Sequence, residues 1–284
     1  MAIIDGKTLS LMIKDGIKAK SQLFREKTGR DVTIAVVMVG DNPASAVYVK
    51  NKIKAAEYVG FKSLSFHLPE TVEFSDVKNL LTELKNDKTV DGILVQLPLP
   101  KHLNEQKVLS LIPASKDVDG FLPENVGNLL LGNDTVVSCT PAGVMEMLKD
   151  NNIAISGKNA VVIGRSNIVG KPMALLLLKE NATVTVCHSK TENIADICKN
   201  ADIIVVAIGK AKFLTANMVK KGAVVIDVGI NRVDGKIVGD VDFDKVSKKA
   251  AYISPVPGGV GPMTIAMLLK NTLTCALRRE NLEL

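Results

Sequence analysis

The chain has 284 residues, 46% hydrophobic and 23% charged, with a formal net charge of +6. These are globular proportions; they exclude a disordered or low-complexity chain and leave room for two domains of ordinary size. The lysines, among them Lys14, Lys18, Lys85, Lys149, Lys221 and Lys248, are spread along the chain and form no stripe with interleaved aromatics. No nucleic-acid partner is expected, and the basic surface serves at most to attract an anionic substrate.

Cys139, Cys187, Cys198 and Cys275 are widely spaced without a C-x-x-C pair, and His67, His102 and His188 are scattered too. Neither a metal site nor a disulfide framework is readable, so free thiols in a reducing compartment are expected. The N-terminus turns polar after Ala2-Ile3-Ile4 and does not read as a signal peptide. No apolar run is read as approaching the roughly 18 to 20 residues that span a bilayer. A cytoplasmic protein without a membrane partner is expected.

Short β-branched runs alternate with helical patterns. Thr33–Gly40 reads as a buried strand, and Ser45–Val59 as a helix stopped by Gly60. A strand over Ser63–His67 follows, then a helix over Ser75–Asn86 with Ser75 as its N-cap, then a strand over Gly92–Leu97 cut by Pro98 and Pro100. Near-continuous apolar strands separated by helices imply a parallel sheet covered on both faces.

The rhythm restarts after residue 140. Strands are expected at Ala160–Gly164, Thr183–Cys187, Asp202–Ala207 and Ala223–Val228, with helices at Pro172–Glu180 and Asn193–Asn200. This is a βαβαβ dinucleotide-binding pattern. The stretch Pro262–Glu280 is again helical, with Ile265, Leu268, Leu269, Thr272 and Leu273 along one stripe. The fold class expected is therefore α/β in two domains, an N-terminal α/β catalytic domain (1–139) and a C-terminal Rossmann-type domain (140–264), with a cleft between them. The last helix, 265–284, is expected to pack back on the first domain.

The turn after the first strand of the second half reads Gly164-Arg165-Ser166-Asn167-Ile168-Val169-Gly170-Lys171-Pro172. It is not G-x-G-x-x-G, because Ser166 takes the place of the second glycine. Small residues still let the backbone approach a pyrophosphate at a helix N-terminus, and Pro172 suits a first helical turn. At the end of the next strand, Cys187-His188-Ser189-Lys190-Thr191 contains no acid to hold a ribose 2′-hydroxyl. Ser189 can donate to a 2′-phosphate and Arg165 can supply charge, so NADP is favoured over NAD.

In the first half, Tyr48 and Lys52 stand four apart and share a helix face. A Tyr-x-x-x-Lys pair also occurs in short-chain dehydrogenases, but there the nucleotide turn precedes the pair; here it follows by more than a hundred residues. Gln96 sits near the C-terminal end of a strand, where ligands bind in open α/β sheets. Lys116-Asp117-Val118-Asp119-Gly120-Phe121 places two carboxylates beside a glycine, and Ser254–Thr264 is too rich in Gly and Pro for a strand. Each alone reads as ordinary surface: an amphipathic helix, a loop aspartate, a rigid turn.

Together, in order, these segments closely resemble the bifunctional methylenetetrahydrofolate dehydrogenase/cyclohydrolase family. The likeness rests on Tyr48-Val49-x-x-Lys52, Asp91–Pro100, Lys116–Phe121, Gly164–Pro172 and Pro255–Thr264, and it runs from Ile4 to Leu273. The resemblance implies NADP-dependent oxidation of 5,10-methylenetetrahydrofolate, then hydrolysis to 10-formyltetrahydrofolate, by a homodimer of one-carbon metabolism supplying purine biosynthesis. It implies catalytic roles for Lys52, Tyr48, Gln96 and Asp119. A lysine partly desolvated beside a substrate cation suits acid/base work, with Gln96 orienting it and Tyr48 offering a stacking face. Asp119 can accept two N–H bonds from the pterin edge. Pro257, Gly258, Gly261 and Pro262 line the substrate, and Gly164, Arg165, Ser166, Ser189 and Ile230 hold NADP. A shikimate-type NADP dehydrogenase has the same domain order, but gives no reason for the Val-Asp-Gly-Phe loop.

Overall fold

The computed structural model describes residues 1–284, apart from the side chain of residue 44. The chain opens with β1 (Ala2–Ile3) and α1 (Gly6–Thr28). Asp5 starts α1 by accepting the backbone N–H groups of Lys7 and Thr8 at 3.0 and 3.1 Å. Helix α1 was not expected from the sequence: its buried stripe, Leu9, Ile17 and Phe24, is interrupted by buried Ser10 and Ser21 and surrounded by lysines.

Next come β2 (Thr33–Val39), α2 (Pro43–Tyr58) and β3 (Lys62–Leu68). Helix α2 begins two residues before the expected Ser45, with Asn42 Oδ1 accepting from Ser45 N at 3.1 Å and Pro43 in the first turn. Helix α3 (Phe74–Asn86) has Glu73 as its N-cap, so Ser75 lies inside the first turn and does not cap it. Strand β4 (Gly92–Val95) is shorter than expected, although Gln96 N still donates to Val37 O at 2.8 Å. Helices α4 (Glu105–Leu109), α5 (Pro123–Leu131) and α6 (Cys139–Asp150) lead to β5 (Asn159–Ile163), α7 (Gly170–Lys179), β6 (Thr183–Cys187), α8 (Ile194–Lys199), β7 (Ile203–Val206) and β8 (Val224–Asp227). A hairpin, β9 (Asn231–Val233) with β10 (Lys236–Val238), then α9 (Phe243–Val246), β11 (Tyr252–Ile253) and α10 (Val260–Glu280) complete the chain.

These elements form two compact units. The three-stranded unit takes residues 12–128, 134–137 and 268–284. Its sheet, in the order β3-β2-β4, is parallel, with Val37 opposite Phe66 and Val95. Ala35, Val37 and Val39 point into a core with Val77, Leu81, Leu84, Ile93 and Val95. Burial of each such side chain stabilises by roughly 1.5–3 kcal/mol. The C-terminal part of α10 is tied in by Asn271, whose Nδ2 donates to Val118 O and Val137 O at 2.9 Å. Arg279 joins Arg30 on the fully buried carboxylate of Asp91, at 2.9 and 2.8 Å.

The six-stranded unit takes residues 1–11, 129–133 and 138–267. Its strands run β1-β11-β8-β7-β5-β6, all parallel. The first eleven residues, assigned to the first domain from sequence, thus belong with this unit, because β1 pairs with β11 (Ala2 opposite Tyr252). The chain leaves β5 for β6 on one side and returns to β7 on the other, so the sheet reverses at the carboxyl end of β5.

Helix α10 is long and apolar enough to cross a membrane by length and composition, which corrects the expectation that no stretch is; 56% of its most apolar window is buried inside the protein. All four cysteines are free and buried.

Candidate active site

In the three-stranded unit, Lys52 follows Tyr48 by one turn of α2. Its Nζ donates to Gln96 Oε1 at 3.0 Å, and Gln96 Nε2 donates to Leu97 O at 2.6 Å. That second bond fixes which way the amide points, so the oxygen is the face offered to the ammonium. A neutral partner orients the lysine without neutralising it. Tyr48 is 38% exposed on the same helix.

Asp119 lies within electrostatic reach of Lys52. Burial pushes its carboxyl up to about 6, Lys52 pulls it down, and Asp117 pushes it up. The loop that carries it is built by its neighbours. Asp117 is buried and accepts from Gly120 N (3.0 Å), Leu122 N (2.9 Å) and Asn125 Nδ2 (2.8 Å). Lys116, also buried, donates to the carbonyls of Leu84, Lys85 and Asp87 at the C-terminal end of α3. A cation there meets the negative end of the helix dipole and orphan carbonyls together. The two residues before Val118 are therefore scaffold for the loop that carries Asp119.

In the six-stranded unit the nucleotide turn is tight. Gly164 has φ +127°, and a Cβ there would stand 2.3 Å from Ala207 O; a Cβ on Gly170 would stand 2.2 Å from Gly164 O. Both positions require glycine, and the tight turn brings the backbone to the start of α7, where a helix N-terminus suits a phosphate. Ser166 Oγ accepts from Val169 N and Gly170 N at 3.2 and 3.3 Å, holding the start of α7. Arg165 is exposed. At the end of β6, His188 N donates to Thr191 Oγ1 (2.9 Å) and Lys190 N donates to His188 Nδ1 (3.2 Å), a turn that presents Ser189 to solvent. Ile230, 49% exposed, follows Gly229 at the end of β8. Pro257, Gly258, Gly261 and Pro262 run into the first turn of α10, and Gly258 O accepts from Lys7 N at 2.9 Å. The residues thus fit a dinucleotide: the glycine turn, the helix start and the polar side chains of Arg165 and Ser189 lie at the carboxyl ends of neighbouring strands.

The sequence reading missed a buried acid pair in this unit, Asp227 and Asp240, 3% and 0% exposed. Burial pushes Asp227 up to about 6 against backbone donors from Asp240, Val241 and Gly229. A legible signal existed: each acid follows or precedes glycine at the end of an apolar run, Ile226-Asp227-Val228-Gly229 and Val238-Gly239-Asp240.

Among the described residues, no group of three or more His, Cys, Asp or Glu is placed to hold a metal ion. A parallel sheet with a glycine turn at its reversal point, and a separate lysine–amide–carboxylate set, define a dinucleotide-binding α/β enzyme.

Comparison with known proteins narrows the class. The catalytic domain of tetrahydrofolate dehydrogenase/cyclohydrolase matches residues 4–119, and the NAD(P)-binding domain of the same family matches residues 138–280. A protein of Agathobacter rectalis described as Bifunctional protein FolD is 56% identical over 277 residues, covering 97% of this chain and 99% of that one. The crystal structure of the FolD methylenetetrahydrofolate dehydrogenase/cyclohydrolase of Campylobacter jejuni superposes with a TM-score of 0.97 at 54% identity, covering 98% and 99% of the two chains. A Trypanosoma brucei relative, solved with NADP cofactor and inhibitor, gives 0.95 at 40% identity, covering 99% of each. The chain belongs to the tetrahydrofolate dehydrogenase/cyclohydrolase family. Shikimate dehydrogenase of Aquifex aeolicus, at 15% identity and a TM-score of 0.54, shares the fold alone.

Proposed function

We propose that this chain oxidises 5,10-methylenetetrahydrofolate to 5,10-methenyltetrahydrofolate with NADP⁺ and hydrolyses that product to 10-formyltetrahydrofolate. The observation that carries this reading is the Lys52–Gln96 bond with the Asp119 carboxyl beside it. NADP⁺, when bound, supplies the hydride acceptor. Ser189 and Arg165 would hold its 2′-phosphate, Gly164 and Ser166 its pyrophosphate, and Ile230 would complete the cofactor site.

The protein's own work differs between the two reactions. The nitrogen lone pairs of the substrate stabilise the cation left after hydride departs, so the first step asks for alignment: Tyr48 stacks on the folate and Asp119 takes N–H bonds from its pterin edge. Pro257, Gly258, Gly261 and Pro262 supply a backbone wall. The second step asks for proton handling. Lys52, as the neutral amine, takes one proton from the attacking water and returns it to the folate nitrogen as its bond to the one-carbon unit breaks; the remaining hydroxyl proton leaves to solvent as the formyl carbonyl forms. Gln96 Oε1 accepts from Lys52 Nζ in both protonation states and keeps it in line. The three-stranded unit, with the C-terminal part of the last helix, is the folate-binding catalytic domain, and the six-stranded unit, which takes in the first eleven residues, is the NADP-binding domain. The protein works as a homodimer in the cytoplasm, with neither nucleic acid nor membrane as partner.

A spectrophotometric assay decides the reading. Mixing protein, NADP⁺ and 5,10-methylenetetrahydrofolate should reduce the cofactor, and added 5,10-methenyltetrahydrofolate should lose its absorbance band without cofactor. Reduction of NADP⁺ by shikimate, with methylenetetrahydrofolate inert, would overturn it.

A further inference from the structure

The sheet order sets the direction in which the cofactor lies. From one edge the strands run β6, β5, β7, β8. With the 2′-phosphate at the end of β6 and the pyrophosphate at the β5 turn, the nicotinamide half extends over the ends of β7 and β8. There the chain forms two loops, Ile208-Gly209 after β7 and Gly229-Ile230 after β8.

Both loops converge on one carboxylate pair. Asp240 Oδ2 accepts from Ile208 N at 2.8 Å and Gly209 N at 2.9 Å, and its Oδ1 accepts from Asn231 Nδ2 at 2.9 Å. Asp227 Oδ1 accepts from Gly229 N and from Asp240 N, both at 2.9 Å, while its Oδ2 accepts from Val241 N at 2.9 Å. Asp227 N in turn donates to the buried Ser254 Oγ at 2.8 Å. The fit is close: a Cβ on Gly239 would lie 1.8 Å from Asp227 Oδ2.

Two adjacent buried carboxylates are an expensive way to hold a fold together, and apolar packing would do it at less cost. What they supply is direction. Three of the four oxygens fix backbone N–H groups, and among these are the loops after β7 and β8 at the carboxyl end of the sheet. We infer that Asp240, seated on Asp227, is a positioning residue that sets the Ile208-Gly209 and Gly229-Ile230 loops for the nicotinamide half of NADP⁺. This rests on the cofactor path proposed above.

Asp240→Asn keeps the shape but turns one oxygen into a donor, so it loses either the Ile208/Gly209 pair or Asn231. The dissociation constant for NADP⁺ should rise about tenfold and single-turnover hydride transfer should slow about tenfold or more. Adenosine 2′,5′-bisphosphate, which carries only the other half of the cofactor, should bind the variant within about twofold of wild type, and cofactor-free hydrolysis of methenyltetrahydrofolate should likewise stay within about twofold. The double substitution Asp240→Asn with Asn231→Asp restores donor to acceptor across the contact and should recover NADP⁺ binding, which also guards against a single variant that folds poorly. If the bisphosphate and NADP⁺ weaken equally, or the double variant recovers neither, the pair is merely structural and the inference falls. Should wild type bind NADP⁺ but not the bisphosphate, the cofactor path fails and the positioning role with it.

Discussion

The two units build their sites from different parts of the polypeptide. In the three-stranded unit the working atoms are side-chain tips, Lys52 Nζ against Gln96 Oε1 with the Asp119 carboxyl near. In the six-stranded unit the candidate site is mostly backbone, a tight turn in which Gly164 and Gly170 approach each other too closely for a side chain. A side-chain site fails when an isostere removes one charge and leaves the fold alone. A backbone site fails when a single methyl is added where none fits. The same chain should therefore answer to opposite kinds of substitution, and the two reactions should separate accordingly.

The largest separation is expected at Lys52. Lys52→Met keeps the stem and removes the ammonium. General acid/base help is worth roughly 10² to 10⁴ in rate, so hydrolysis of methenyltetrahydrofolate should fall below detection. Hydride transfer, which draws on the substrate's own nitrogen, should persist in part, and methenyltetrahydrofolate should accumulate in a single turnover. If both rates drop by one factor in a protein that melts normally, Lys52 is only a strut for α2.

Gly170→Ala asks the converse question. Its Cβ would meet Gly164 O at 2.2 Å, a backbone atom that cannot swing away. Overpacking of this kind costs about 1–3 kcal/mol, or roughly ten- to a hundredfold in NADP⁺ affinity if the turn opens to relieve it. Calorimetry should show that loss, while cofactor-free hydrolysis continues. A variant that binds NADP⁺ normally would mean that the cofactor does not use this turn.

The contrast also explains what was legible in the sequence. Strand runs such as Ala160–Ile163 and Ile203–Val206 are continuous apolar segments bounded by turn residues, so periodicity and length find them. Lys52, Gln96 and Asp119 could be named because their types and order match a family pattern; their residue chemistry alone left a plain helix and a plain loop. Helix α1 stayed hidden because buried Ser10 and Ser21 break its apolar stripe and their burial depends on tertiary contacts such as Ser21 Oγ to Gly60 O. Strand β1 is two residues long and exists only because β11, some 250 residues later, lies beside it. Asp227 and Asp240 were invisible for a related reason. An acid's value as a hydrogen-bond hub comes from N–H groups that the fold brings to it.

A smaller effect is expected where the backbone site does use side chains. Arg165 and Ser189 are both exposed, so a phosphate contact there is screened by water. Losing a charge-assisted bond costs on the order of 1.5 to 3 kcal/mol at most. Screening discounts that figure, so Arg165→Ala should weaken NADP⁺ by about tenfold at most and NAD⁺ far less. Equal use of the two cofactors by the wild type would remove the basis for this assignment.

The smallest expected effect lies at Asp119 and is read in stability. Its folded value, about 6, stands above the ordinary 3.8 because burial outweighs the pull of Lys52. Between those values the unfolded chain has released this proton while the folded chain still holds it. Stability from this group therefore falls as pH rises from about 4 to about 6, and above that the deficit is constant. Asp119→Asn removes the ionisation and with it the deficit. Its melting temperature should match wild type near pH 4 and exceed it by a few degrees at pH 7, at roughly 2–4 °C for each kcal/mol recovered. A carboxylate that costs the fold something when ionised is what a group kept for ligand, not for stability, should look like. A melting difference that stays flat or shrinks with rising pH would mean that Lys52 already compensates the charge, and that Asp119 belongs with Asp117 as part of the scaffold.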